Sequence, residues 1–196
     1  LKACANGSSE LMSNISSSLV GMIYNFQLLK FAGENGVSAY GVLMYVQFIF
    51  IAIFIGYAVG CAPIVAFNYG AENHRELNNI LKKSLYILSG MSIILTLSAI
   101  ALSHPLSAIF VGYDKELFEM TKHAFSLFSL SFILVGFNIF TSSFFTSLNN
   151  GVISAVVAFF RTLIFQSCSV ILLPMFFDID GIWWSITLAE VLAFIL

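Results

Sequence analysis

Glu10, Asn14, Ser17, Gly21 and Asn25 recur three or four positions apart near the start of the chain. On an α-helix that spacing gathers them on one narrow stripe. A carboxylate with amides and a hydroxyl down one helix face suits a position that binds a proton or Na⁺ and opens into a cavity. Such groups are costly in lipid, so they turn toward a bundle interior or a solvated path. The plainer reading is a polar helix–helix contact, with Glu10 reaching the headgroups or complementing the helix dipole. Ser131, Asn138, Ser142 and Asn149 form a weaker stripe, with Thr146 nearby. It has no acid at mid-span, and hydroxyls in membrane helices act more often as interhelical contacts than as ligands.

Two opposite charges complete the set. Arg161 and Glu190 each fall near the middle of an apolar segment. If those segments are antiparallel neighbours, the two charges lie at similar depth. An unpaired charge at a bilayer centre costs at least about 2.5–3.5 kcal/mol, so the two are expected to pair directly or through water. The pair reads first as a structural tie and second as a gating element. Catalytic constellations do not emerge from the sequence. It has no H-E-x-x-H, no G-x-S-x-G and no phosphate-binding glycine loop. The three cysteines and three histidines are scattered, without metal-ligand spacing, and no cofactor is expected.

The elements that must carry these residues follow from composition. Of 196 residues, 59% are hydrophobic and only 9% are charged. Mean hydropathy is +0.96. A soluble domain needs more charged surface than this. The net charge of −2 supplies no field for nucleic acid. What remains is an integral membrane protein in a lipid bilayer. Long charge-free runs, divided by turn signals, predict six helices at about Ser8–Lys30, Ser38–Phe67, Leu77–Leu102, Glu116–Leu148, Val152–Leu173 and from Ile182 to Leu196. The runs are too long and too uniformly apolar for barrel strands. The fold class is therefore all-α and polytopic.

The turns are Gly33-Glu34-Asn35-Gly36, Asn68 to Asn73, Ser103-His104-Pro105, Asn149-Asn150-Gly151 and Asp178-Ile179-Asp180-Gly181. Gly56 and Gly60 offer a close helix approach, and Pro63 is a candidate hinge. Lys2, Arg75, Lys82 and Lys83 fall on one side, which predicts cytoplasmic ends. Trp183 and Trp184 are then expected at the outer interface. The chain starts without Met and stops inside an apolar run, so it is expected to be part of a longer protein.

The ordered set of motifs resembles the multidrug and toxic compound extrusion (MATE) transporters. Gly56-Tyr57-Ala58-Val59-Gly60-Cys61-Ala62-Pro63 followed by Asn68-Tyr69-Gly70-Ala71-Glu72-Asn73 resembles the end of their eighth helix. Ser147-Leu148-Asn149-Asn150-Gly151 through Ser154 to Arg161 resembles the junction of the tenth and eleventh. Asp180-Gly181-Ile182-Trp183 with Glu190 is similar to the start of the twelfth. Asn6-Gly7-Ser8-Ser9-Glu10 resembles the start of the seventh in a bacterial branch.

The resemblance implies that residues 1–196 are the C-terminal six-helix lobe of a twelve-helix, two-lobe transporter of the plasma membrane. It implies export of organic cations and drugs against inward H⁺ or Na⁺, with the N-terminal lobe of the same chain as partner. Glu10 fits the acid that family members often place in the seventh helix. Taken with the residues' own pattern, Glu10, Asn14, Ser17, Asn25 and Asn138 are the expected ion- and substrate-binding set, and Arg161–Glu190 is the expected structural or gating pair. The tenth-helix acid of several members has no counterpart at mid-membrane; Ser129, Ser131 and Asn138 stand there. Phe-rich walls would attract flat cations, though the same rings also suit lipid. The competing functions are a lipid-linked sugar exporter, which would call for more basic residues, an intramembrane enzyme and a non-transporting scaffold.

Overall fold

In a hydrocarbon environment every backbone N–H and C=O must find a partner inside the protein, which leaves helices as the way to cross it for a chain this uniformly apolar. The computed structural model describes the backbone of residues 2–196 and the side chains of Leu11 and residues 14–196. α1 (Lys2–Gly70) leaves helical dihedrals at Gly33 (φ 62°, ψ −152°), a backbone state that glycine reaches without a Cβ clash. Tyr24 and Tyr40, on either side of this break, stack with ring centroids 5.1 Å apart, so α1 is two rods folded against one another. α2 (His74–Val111) starts at Asn73, whose side chain accepts from the Glu76 N–H. α3 (Lys115–Ser129) starts at Asp114, which accepts from Glu116 and Leu117.

α4 (Phe132–Ser147) continues α3 after a bend of 51°. α5 (Gly151–Phe159), a π-helical segment (Phe160–Phe165) and α6 (Gln166–Leu172) follow as one rod. α7 (Pro174–Ile195) is broken at Asp178 (φ 49°, ψ −134°). A non-glycine residue there stores on the order of 1–3 kcal/mol of strain. The architecture is thus all-α with six rods. Among the described residues, three stretches are long and apolar enough to cross a membrane: Asn14–Gly70, His74–Val111 and Gly151–Leu172. The bent α3–α4 pair makes a fourth. Beyond Asp178, α7 is followed only to Ile195, short of the ~20 residues a span needs.

The core gathers Tyr24, Leu28, Phe54, Phe132 and Trp183, all nearly inaccessible. Phe54 lies over Gly136, where an added Cβ would come within 2.4 Å of its ring. That glycine, on α4, makes the close approach. Gly56 and Gly60 do not: both face outward, and a Cβ on either would meet nothing within 4 Å. Trp183 departs from the interfacial position expected for it, being 1% exposed in the core, while Trp184 is 40% exposed. Adjacent helical positions point about 100° apart, so only one of the two rings can face outward.

The rods also run past signals that read as stops. α2 continues through Pro105 to Val111. The stretch about Glu116–Leu148 is two helices, not one, and the bend falls at Leu130-Ser131. α6 ends at Leu172 and α7 begins at Pro174, where the stop is expected, yet Leu173 between them keeps helical dihedrals (φ −60°, ψ −40°), and one polar contact bridges the junction. A proline cannot donate to the carbonyl four residues back, here that of the fully buried Val170. The Gln27 side-chain amide donates to it instead, at 3.3 Å. We expect Gln27→Leu to lower stability by about 1–3 kcal/mol through the orphaned carbonyl. Most of that loss should vanish in a Pro174→Ala background, where a backbone N–H returns. Thermal unfolding of the four variants in detergent checks this.

Candidate functional site

A regular helix exposes one face and buries the other, and the first rod of α1 does so. Ser16, Val20, Tyr24, Gln27 and Leu28 are buried. Asn14, Ser17 and Asn25 are exposed. Asn14, Ser17 and Asn25 therefore run along the exposed margin of the packed face. The Asn25 Nδ2 donates to the Gly21 carbonyl at 2.9 Å. The Asn14 carbonyl accepts from the Ser18 hydroxyl at 3.1 Å. Glu10 lies in the helical backbone of α1, but its side chain falls outside the described residues.

A second polar centre sits inside the bundle. Glu190 of α7 is 1% exposed. Arg161, in the π-helical segment, donates from Nε to both carboxylate oxygens at 3.0 and 3.1 Å and from Nη2 to Oε1 at 2.9 Å. The Asn138 Nδ2 of α4 donates to Oε2 at 2.6 Å and to the Glu190 backbone carbonyl at 3.0 Å. Three rods thus meet on one carboxylate, and charge-assisted bonds of this forked kind are strong and directional. A π turn carries an extra residue, which shifts the face that the following side chains present, and such turns occur often at functional sites. Arg161 lies within that irregular stretch. Nearby, Ser185 donates to the Ile182 carbonyl at 2.6 Å, so its proton is spent there and Tyr24 Oη donates to it, also at 2.6 Å. This bond ties the first rod to α7.

The structure accordingly brings Asn138, Arg161 and Glu190 together and leaves Asn14, Ser17 and Asn25 on another surface. Asn138 belongs with the ion pair, and its amide is committed to Glu190. Of the weaker stripe, Ser142 and Thr146 bond to one another and to Ser154 of α5, a contact between neighbouring rods. Pro63 lies inside α1, where the backbone keeps helical dihedrals. Gln27, Tyr24 and Ser185 join the polar ties from outside the set expected from the sequence. Gln27 carried a signal, as an amide in an apolar run with a proline in another span. Among the described residues, no three His, Cys, Asp or Glu side chains gather as a metal-ligand set. His123 and Asp180 pair at 2.9 Å, both about half exposed.

Breaking a buried pair from one side costs about 3–5 kcal/mol, whereas an apolar pair of similar volume can be neutral. Arg161→Met and Glu190→Met should each lower thermal stability strongly, and the double variant should regain more than half of the loss. A double-mutant cycle on unfolding temperature measures this coupling.

The sequence profile of the MatE family matches residues 11–171. No curated protein matches. Among solved structures, a MATE protein in complex with MaL6 superposes with a TM-score of 0.89 at 20% identity, covering 96% of this chain and 43% of that one. An outward-facing multidrug resistance MATE family transporter of the MOP superfamily gives 0.89 at 19%, with the same coverage. A MOP superfamily transporter from Pyrococcus furiosus, described as having a binding pocket of reverse polarity, gives 0.89 at 20%, again covering 96% and 43%. The chain spans less than half the length of these proteins.

Proposed function

Because the chain belongs to the MatE family, a family of membrane transporters, we propose that it forms the C-terminal lobe of a secondary antiporter. That antiporter exports organic cations in exchange for H⁺ or Na⁺ by alternating access. The observation that carries this reading is the exposure of the two stripe amides, Asn14 and Asn25, on α1. Asn14, Ser17 and Asn25 lie exposed on a 57-residue apolar stretch. Amides facing lipid are costly, so such a face calls for a polar counterpart or a water-filled cleft. A second bundle, the N-terminal lobe, provides both, and the two lobes rock about the cleft between them.

Helical spacing puts Glu10 on the same stripe, as the acid that takes up the coupling ion. Substrate and ion then exclude one another at the stripe, or the ion reshapes it, and that exclusion is the exchange. The Lys and Arg distribution favours cytoplasmic ends in the plasma membrane. The Arg161–Glu190–Asn138 knot keeps three rods of the lobe together while it moves.

The runner-up is export of an anionic, lipid-linked sugar. It would need basic side chains toward the cleft. Arg161 is the mid-span cation of this chain, and its charge is already answered by Glu190 at 2.9 Å. This weighs against an anionic substrate. A non-transporting scaffold would have no use for the stripe.

In cells producing the full-length protein, Glu10→Gln should reduce ethidium efflux to the level of cells without the transporter, at unchanged expression. Efflux equal to the wild type would remove Glu10 from the site.

A further inference from the structure

Three cations at the start of α2 go unanswered. Arg75, Lys82 and Lys83 are exposed, and none has an ion-pair partner among the described residues. The acids at this end do not pair with them. Glu76 accepts from the Asn79 amide on both carboxylate oxygens, each at 3.3 Å, and Glu72 lies out on the turn before the helix. Elsewhere the cations are engaged: Lys30 with the Phe31 ring, Lys122 with Glu119 and Arg161 with Glu190.

Helix geometry puts two of the three on one face. At about 100° per residue, Arg75, Lys82 and Tyr86 fall within about 40° of one another, and Lys83 stands to one side. Leu77, Ser84 and Leu88, all buried, occupy the opposite face. Arg75 and Lys82 are about 10 Å apart along the axis, a gap that two long side chains can close. Tyr86, one turn further in, is 82% exposed. The same face then continues through Ile93 and Leu97, both exposed. Gly90 leaves the surface low between them, since a Cβ there would meet nothing within 4 Å. No Asp, Glu, Lys or Arg occurs from Ser84 to Tyr113.

This order of zones selects the occupant. The face is convex, so a small soluble anion finds no enclosure on it. An acidic protein segment lying on the cations would have to follow the face into lipid. An anionic phospholipid matches every zone. Its phosphate meets the guanidinium and the ammonium, a tyrosine stands at the headgroup level where such rings concentrate, and an acyl chain runs along the apolar residues beyond.

We propose that this face of α2 binds an anionic glycerophospholipid, with Arg75 and Lys82 on its phosphate, Tyr86 at the headgroup boundary and Ile93 and Leu97 along its acyl chain. The inference rests on the chain being embedded in a membrane and holds whatever the transporter carries.

Binding of phosphatidylglycerol and phosphatidylcholine, each with a fluorescent acyl chain, to the purified full-length protein in a non-ionic detergent tests it. The wild type should favour phosphatidylglycerol. Arg75→Gln and Lys82→Gln should each weaken phosphatidylglycerol binding about fivefold, as loss of one cation near an anionic surface does, and should flatten its salt dependence. Phosphatidylcholine binding and thermal unfolding should not change. Lys115→Gln, which removes an exposed cation from α3, should leave phosphatidylglycerol binding as it is. A double variant, Arg75→Gln with Lys82→Gln, that binds phosphatidylglycerol as the wild type does overturns the site. So does a wild type that binds both lipids equally. Inorganic phosphate or polyglutamate that displaces the labelled lipid beyond the effect of sodium chloride at equal ionic strength would assign the cations to a soluble anion or an acidic protein, and overturns it too. A wild type that favours phosphatidylglycerol but exports no ethidium supports this site and overturns the exporter reading alone.

Discussion

A carbonyl or a charge left without a partner in hydrocarbon costs several kcal/mol, and each irregular feature of this lobe answers that demand. Pro174 deprives the Val170 carbonyl of its usual donor, and Gln27 arrives from the other end of the chain to replace it. Glu190 is buried as an anion, and Arg161 and Asn138 converge on it from two further rods. The same economy explains why the bundle holds together where hydrophobic burial is weak. Between helices in lipid there is little hydrophobic drive, so packing and polar ties must serve. Phe54 against Gly136 shows the packing, and the Tyr24–Ser185 bond shows the ties.

Much of the architecture is written in single residues that act locally. A glycine in a Gly-Glu-Asn-Gly run announces a break, and Gly33 is where α1 departs from helical dihedrals. Asn73, Asp114 and Asn150 are each the kind of residue that caps a helix, and each accepts a backbone N–H at a helix start. What the sequence conceals is decided by neighbours. The bend at Leu130-Ser131 falls in an apolar run with no proline or glycine at the break. The carbonyl that Pro174 leaves without a backbone donor is met by a distant amide. Trp183 turns inward because its helix face meets the core, which no local pattern declares.

The same division holds for the site. The spacing of Asn14, Ser17 and Asn25 is a one-helix property and can be read from the chain. Whether that face is covered is a property of the bundle, and only the structure shows it open. The meeting of Arg161 and Glu190 follows from charge and depth. The participation of Asn138 does not, because an amide on a third rod has no sequence relation to either charge. The π turn at Arg161 is more hidden still. Phe-Arg-Thr-Leu-Ile-Phe has no proline or glycine to mark an irregular turn.

The bond between Gln27 and Val170 has a bearing on how such a lobe drifts over generations. A proline at 174 leaves the Val170 carbonyl to the carboxamide at 27, and once the proline is gone the carboxamide loses that use to a backbone N–H. The glutamine cannot be exchanged first without passing through a weakened protein. The two positions should therefore change hands together among descendants, with the proline lost and the glutamine replaced by an apolar residue in close succession, although nothing in their sequence neighbourhoods connects them.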